Sequence, residues 1–195
     1  MDLSIKSPLP FLDFIVENFD PHGDAHASDV STHATIMAAR LGLSAQEIEL
    51  IEVGAKYHDI GKIFIPESIR RFPGMYTPVE KEIMEKHCQI GAQMLHLLGF
   101  PVPVIAIALS HQENFDGSGY PSALRGKNIP IGARIVRVVD SFHALTHDRG
   151  YRHACSKKRA MEKLHETSTH YDPDLLELFE TLIHETWDAV PGRSE

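Results

Sequence analysis

Four histidines and an aspartate carry the first chemical signal. His26 lies one turn before Val30, and His58 extends the stripe of Ile51 and Ala55. His87 sits between Ile83 and Ile90, His111 follows Val104 and Ala108, and Asp140 comes one turn after Val136. At helical spacing, each lies on or beside the apolar face that should point inward. A buried carboxylate or imidazole needs a partner to offset lost hydration. Metal ions would satisfy all five together, and imidazole nitrogen with carboxylate oxygen suits Fe, Mn, Zn, Ni or Co. Any one such histidine alone reads more simply as a hydrogen-bonded core residue. By pattern alone, a metal site and a set of satisfied core histidines stand about equal.

The elements that must position these groups are helices. Pro10 to Phe19 is a short apolar-rich helix closed by Asp20-Pro21. Asp24 is placed to cap a helix running to about Leu41, ended by Gly42. Ser44 and Glu47 form a capping box for the next, which carries Ile48, Ile51, Ala55 and His58 before Gly61 breaks it. A loop with Pro66, Pro73 and Gly74 follows. Thr77-Pro78 starts a helix bearing Ile83, His87, Ile90, Met94 and Leu98 on one side. Another runs from Pro103 to about Gln112, and Glu113 to Pro130 is Gly-rich and irregular. Ile131 to Thr146, Ser156 to Thr167 and Pro173 to Asp188 complete an all-α domain with one long functional loop.

Bulk properties bound the function. The length of 195 residues fits one domain with a short extension, and 43% apolar residues suffice for a core. The net charge of −8 argues against a nucleic-acid polymer as partner. An anionic substrate would need a local positive site, which bound cations could supply. Cys88 and Cys155 form no CxxC and read as free thiols of a reducing compartment. No apolar run reaches membrane-span length and the first ten residues lack signal-peptide character, so a cytoplasmic protein without membrane contact is expected.

Two motifs add a resemblance. His58-Asp59-Ile60-Gly61-Lys62 resembles the signature of the HD-domain phosphohydrolases, and Asp116-Gly117-Ser118-Gly119-Tyr120-Pro121 the added motif of the HD-GYP subgroup. Supporting matches are Lys86-His87 before Ile90-Gly91, Ala133-Arg134-Ile135, Val139-Asp140 and Arg149-Gly150-Tyr151-Arg152. The resemblance implies a single HD-domain bundle over 20–190, with 1–19 as an N-terminal helical extension. It implies hydrolysis of cyclic di-GMP, or a related cyclic dinucleotide, to the linear dinucleotide and in some members GMP, in bacterial signalling. Carried over by position, the metal ligands are His26, His58, Asp59, His87, His111 and Asp140. They would hold two divalent transition-metal ions, Fe or Mn first and Ni, Co or Zn as alternatives. Asp59 would bridge them, and a hydroxide between the two would attack phosphorus. Lys62 would act on the phosphoryl oxygens. Gly119, Tyr120, Arg149 and Arg152 would contact substrate, while Arg134 is expected to pair with a carboxylate near the loop.

Three positions depart from the family pattern. His22 stands where many members have Glu, Gln112 where they have a second His, and His143 where they have Asp. Losing the first two together favours two metals over three. His22 and His143 are secondary candidates, and His143 could support a ligand. The remaining histidines, among them His33 and His147, are expected at the surface or in packing roles. No sensory segment is recognisable, so a regulatory protein partner or homo-oligomer would supply control. The alternative reading is a catalytically degenerate binding module of the same fold.

Overall fold

A computed structural model describes residues 10–19, 23–72, 74–147 and 154–187. The α-helices are α1 (Pro10–Phe19), α2 (Gly23–Arg40), α3 (Ala45–Lys56), α4 (Glu67–Arg70), α5 (Pro78–Leu97), α6 (Val102–Ser110), α7 (Ile131–Thr146), α8 (Lys157–Glu166) and α9 (Pro173–Trp187). Short 3-10 turns occupy Ile60–Phe64, Gly126–Asn128 and Ser168–His170. There is no strand among the described residues, as the helical periodicity implied. No described helix is long and apolar enough to cross a membrane.

Two of the three expected helix starts form with capping boxes. Glu47 accepts the Ser44 N–H at 2.9 Å while Ser44 Oγ accepts the Glu47 N–H at 3.3 Å. Thr77 and Glu80 repeat the arrangement ahead of Pro78. Each box satisfies two backbone donors that a helix start leaves open. The start of α2 differs from expectation. The helix begins at Gly23, so Asp24 lies inside the first turn instead of capping it. The proline-containing loop also holds the single turn α4.

The largest difference concerns His58. The predicted helix ran to Gly61, but α3 stops at Lys56 with Tyr57 as its cap. His58 and Asp59 occupy the turn that follows, tightened by bonds from the Ile60 N–H to the Tyr57 carbonyl and from the Lys62 N–H to the Asp59 carbonyl. Gly61 explains why this turn needs its sequence. A Cβ there would lie 2.1 Å from the His87 carbonyl oxygen and 2.6 Å from the Gly91 nitrogen. Only glycine lets the turn pass so close to α5, and that approach sets His87 beside the His58-Asp59 pair.

Two cores hold the frame. Val30, Ala34 and Met37 of α2 pack with Ile51 and Ala55 of α3, Val136, Val139 and Phe142 of α7, Leu164 of α8 and Phe179 of α9. Leu12, Ile15 and Val16 of α1 pack with Ala27, Tyr57, Ile60, Leu95, Val104 and Ala108. Fully burying a large aliphatic or Phe side chain contributes about 1.5–3 kcal/mol, so these clusters fix the helices that carry the polar residues between them. Arg134 pairs with the buried Asp172 and donates from Nε to the Ile129 carbonyl at 2.9 Å, the carboxylate partnership expected of it.

Candidate metal centre

The six expected ligand positions come together where α2, α5, α6 and α7 surround the turn after α3. His26, His58, His87 and His111 are all at most 1% exposed and Asp140 is buried. His26 Nε2 lies 3.2 Å from Asp140 Oδ1, and His58 Nε2 lies 3.9 Å from that same oxygen. His58 Nε2 is 3.2 Å from Asp59 Oδ2. The other oxygen, Asp59 Oδ1, faces His87 Nε2 at 3.3 Å and His111 Nε2 at 3.5 Å.

The orientation of three rings is set by the backbone. His58, His87 and His111 each direct Nδ1 at the carbonyl three residues earlier: Ala55 at 2.6 Å, Met84 at 2.7 Å and Ala108 at 3.0 Å. An Nδ1–H spent on a carbonyl leaves the Nε2 lone pair facing the centre, the tautomer that metal-bound imidazoles require. His87 Nε2 and His111 Nε2 then stand 3.3 Å apart with lone pairs converging. His58 Nε2 and Asp59 Oδ1 make no aligned hydrogen bond despite complete burial. Acceptors gathered this way repel one another unless a proton or a metal ion lies between them. Ligands about 2.1 Å from a metal stand about 3.0–3.4 Å apart, which matches these separations apart from the 3.9 Å between His58 Nε2 and Asp140 Oδ1. The donor set therefore fits divalent metal ions bound by imidazole and carboxylate.

Electrostatics agree with a site that attracts cations. Burial works against charge on Asp59, yet Lys62 and His58 hold its carboxyl well below the usual range. Burial likewise opposes charge on Asp140, and the His26 hydrogen bond with the His58 charge overcomes it. Burial lowers His111 to about 4, assisted by repulsion from His58. Lys62 Nζ rests on Asp59 Oδ2. A cleft lined by Ile15, Val16, Ala27, Lys56 and Lys62 opens onto His58 and Asp59, so two ammonium groups line the approach in a chain of net charge −8.

The loop carrying Tyr120 borders the centre, its ring 6.3 Å from that of His87. Gly119, expected at the substrate, also has a packing role within its loop. A Cβ there would meet the Asn114 nitrogen at 2.2 Å and the Gln112 carbonyl at 2.5 Å, so the loop's own fold requires glycine. His22, Arg149, Tyr151 and Arg152 lie outside the described residues.

Several contributors escaped the sequence reading. Buried Glu113 accepts the Ser122 N–H at 2.7 Å and the Leu124 N–H at 3.0 Å, clamping the loop beside Tyr120. Arg137 donates to Asn114 Oδ1 at 2.8 Å and to Gln112 Oε1 at 3.3 Å, and Gln112 Nε2 donates to Asp140 Oδ2 at 3.4 Å. Gln112 thus orients Asp140. Cys88 Sγ lies 3.4 Å from His87 Nε2, and burial together with the Asp59 charge pushes its thiol pKa up. Cys88 and Cys155 are both free, as expected. Glu113 had a local signal, being an acid at the start of an irregular loop, whereas Gln112 stood out only as a departure at a ligand position and Cys88 only as a thiol.

The HD domain family profile matches residues 10–175. The chain belongs to the HD-domain family. It is 36% identical over 184 residues to a cyclic di-GMP phosphodiesterase of Thermotoga maritima, covering 93% of this chain and 50% of that one. It is 40% identical over 152 residues to a cyclic di-GMP phosphodiesterase response regulator of Xanthomonas campestris, covering 77% and 40%. A 3'3'-cGAMP-specific phosphodiesterase of Vibrio cholerae is 35% identical over 167 residues, covering 84% and 31%. This HD-domain chain therefore spans half or less of these relatives. Among solved structures, an HDG"Y"P protein from Bdellovibrio bacteriovorus superposes with a TM-score of 0.70 at 25% identity, covering 92% of this chain and 59% of that one. The HD domain of the L. monocytogenes phosphodiesterase PgpH, in complex with cyclic-di-AMP, shares the fold at a TM-score of 0.62 and 19% identity, covering 96% and 100%.

Proposed function

We propose that this chain is an HD-GYP phosphodiesterase that hydrolyses cyclic di-GMP, or a related cyclic dinucleotide such as 3'3'-cGAMP, to the linear dinucleotide. The observation that carries the reading is Asp59. Its two oxygens face different histidines, Oδ2 toward His58 and Oδ1 toward His87 and His111. A carboxylate so placed suits a bridge between two divalent ions, one beside His26, His58 and Asp140 and one beside His87 and His111. Fe or Mn fits the donors first, with Ni, Co or Zn as alternatives. Such ions, when bound, supply Lewis-acid polarisation of the phosphate and lower the pKa of water. The relatives named for cyclic dinucleotide hydrolysis support the substrate class.

The chain's own groups supply the rest. Lys62, whose ammonium group sits at Asp59 on the cleft wall, would hold a phosphoryl oxygen and neutralise charge that grows in the transition state. Lys56 and Lys62 draw an anion into the cleft, and Ile15, Val16 and Ala27 exclude water from one wall. Tyr120 offers a ring face and hydroxyl to the nucleotide, while Arg149 and Arg152 supply forks for phosphate or guanine. Gln112, tied to Arg137, keeps Asp140 aimed at the centre.

Purified with Mn(II) or Fe(II), the protein should convert cyclic di-GMP to the linear product. Asp59→Ala should lose bound metal and turnover together. Lys62→Ala should keep its metal and lose about a hundredfold in rate. Metal-loaded protein that hydrolyses no cyclic dinucleotide would refute the proposal and leave a binding module.

A further inference from the structure

Helices α2 and α7 carry matching polar stripes. On α2 the positions are His26, Asp29 and His33; on α7 they are Asp140 and His143, followed by His147, which caps the helix with its backbone N–H on the His143 carbonyl. The spacing is the same on both, three residues then four, which keeps each set on one helix face. His26 and Asp140 belong to the centre described above. The other four residues continue past it, and the His26 ring lies 5.9 Å from His58 and 5.8 Å from His147.

Those four residues form a second donor cluster. His147 Nε2 stands 3.0 Å from Asp29 Oδ2, and His143 Nε2 stands 3.2 Å from His33 Nδ1. His147 Nδ1 is 3.0 Å from the His143 carbonyl, so its N–H is directed there, and Nε2 faces the Asp29 carboxylate, where either a proton or a metal ion can lie between the two. His33 Nδ1 is also 3.0 Å from the Asp29 carbonyl, so a single N–H faces both that oxygen and His143 Nε2. His143 is only 1% exposed, and its Nδ1 has no hydrogen bond. Burial and the neighbouring His33 lower its pKa to about 3, so it is neutral and offers a lone pair at physiological pH. One donor atom each from Asp29, His143 and His147 lies within 4.8 Å of the others.

We propose that Asp29, His143 and His147, flanked by His33, form an additional site for one divalent transition-metal ion beside the Asp59 centre. Two histidines one turn apart on a helix form a natural chelate, completed here by a carboxylate from the facing helix. The His147 and Asp29 side chains are 23% and 43% exposed, so the ion has an entry path and the donors have room to close. Nitrogen and oxygen donors select Zn, Ni, Co or Cu over Mg or Ca. The inference does not rest on the phosphodiesterase reading.

The test uses the full chain stripped of metal and titrated with Co(II). Wild type should bind one equivalent more than the double variant Asp29→Asn, His147→Gln. Asp59→Ala should lose the central metal yet keep this additional one. In Asp59→Ala, with the central metal absent, saturating Co(II) should still shift or broaden the imidazole NMR signals of both His143 and His147. Equal stoichiometry and affinity in wild type and the double variant would overturn the site. So would unperturbed His147 signals in metal-saturated Asp59→Ala.

Discussion

Metal-free protein should contain a histidine that titrates far above the usual range. His58 is fully buried, and burial alone opposes its charging. Asp59 at 3.2 Å and Asp140 at 3.9 Å overcome that cost and raise its pKa from 6.5 to about 9. A folded pKa raised above the unfolded value stabilises the fold fully below pH 6.5, and the contribution is lost as pH rises through 9. The full rise corresponds to about 3 kcal/mol, or about 6–12 °C in Tm for a domain of this size. His111, held near 4 by burial, stays neutral throughout that window. A metal binding at His58 Nε2 must displace the same proton. Apparent metal affinity should therefore climb about tenfold per pH unit up to about pH 9 and then level off. Imidazole-detected NMR titration of the stripped chain, alongside thermal melts at about pH 7 and about pH 10, measures both effects. If every imidazole titrated below about pH 7 and metal affinity were flat with pH, the electrostatic account of His58 would fail.

Two further substitutions test how the frame positions the centre. Gly61→Ala puts a methyl 2.1 Å from the His87 carbonyl, so α5 must move; a loss of about 1–3 kcal/mol in chemical unfolding and weaker metal retention are expected. Glu113→Gln keeps one acceptor but turns an amide NH2 toward a backbone N–H that the carboxylate now receives. It should cost about 1–3 kcal/mol and raise KM for the dinucleotide, with metal content unchanged by elemental analysis.

Five of the six expected ligand positions, His26, His58, His87, His111 and Asp140, stood out because inward direction is a local property, while Asp59 came only from the resemblance of the His58–Lys62 motif. Apolar stripes point a side chain at the core wherever the helix goes, and those five positions are buried in one place around the half-buried Asp59. The same stripe misjudged the local backbone at His58. Periodicity carried α3 through that residue, but the contact of Gly61 with His87 and Gly91, made by a distant helix, ends it at Lys56. Asp29, His33, His143 and His147 were not legible as a group. His33 and His143 are 110 residues apart, and each helix alone shows only a polar pair one turn apart. Only the packing of α2 on α7 turns two such pairs into one cluster.

That packing also ties the two clusters energetically. Val30, Ala34 and Met37 on α2 meet Val136, Val139 and Phe142 on α7 in one apolar seam, and the polar stripes run beside it. An apolar seam sets the distance between two helices through its side-chain volumes. His26 can therefore reach Asp140 only at a spacing that also brings Asp29 to His147. Polar groups in such a seam cost stability unless paired, and the pairing observed leaves His143 Nδ1 without a hydrogen bond. A cation at either cluster would offset part of that cost and draw α2 and α7 together. Occupancy of one site would then stiffen the interface that positions the other, a coupling that acts in both directions.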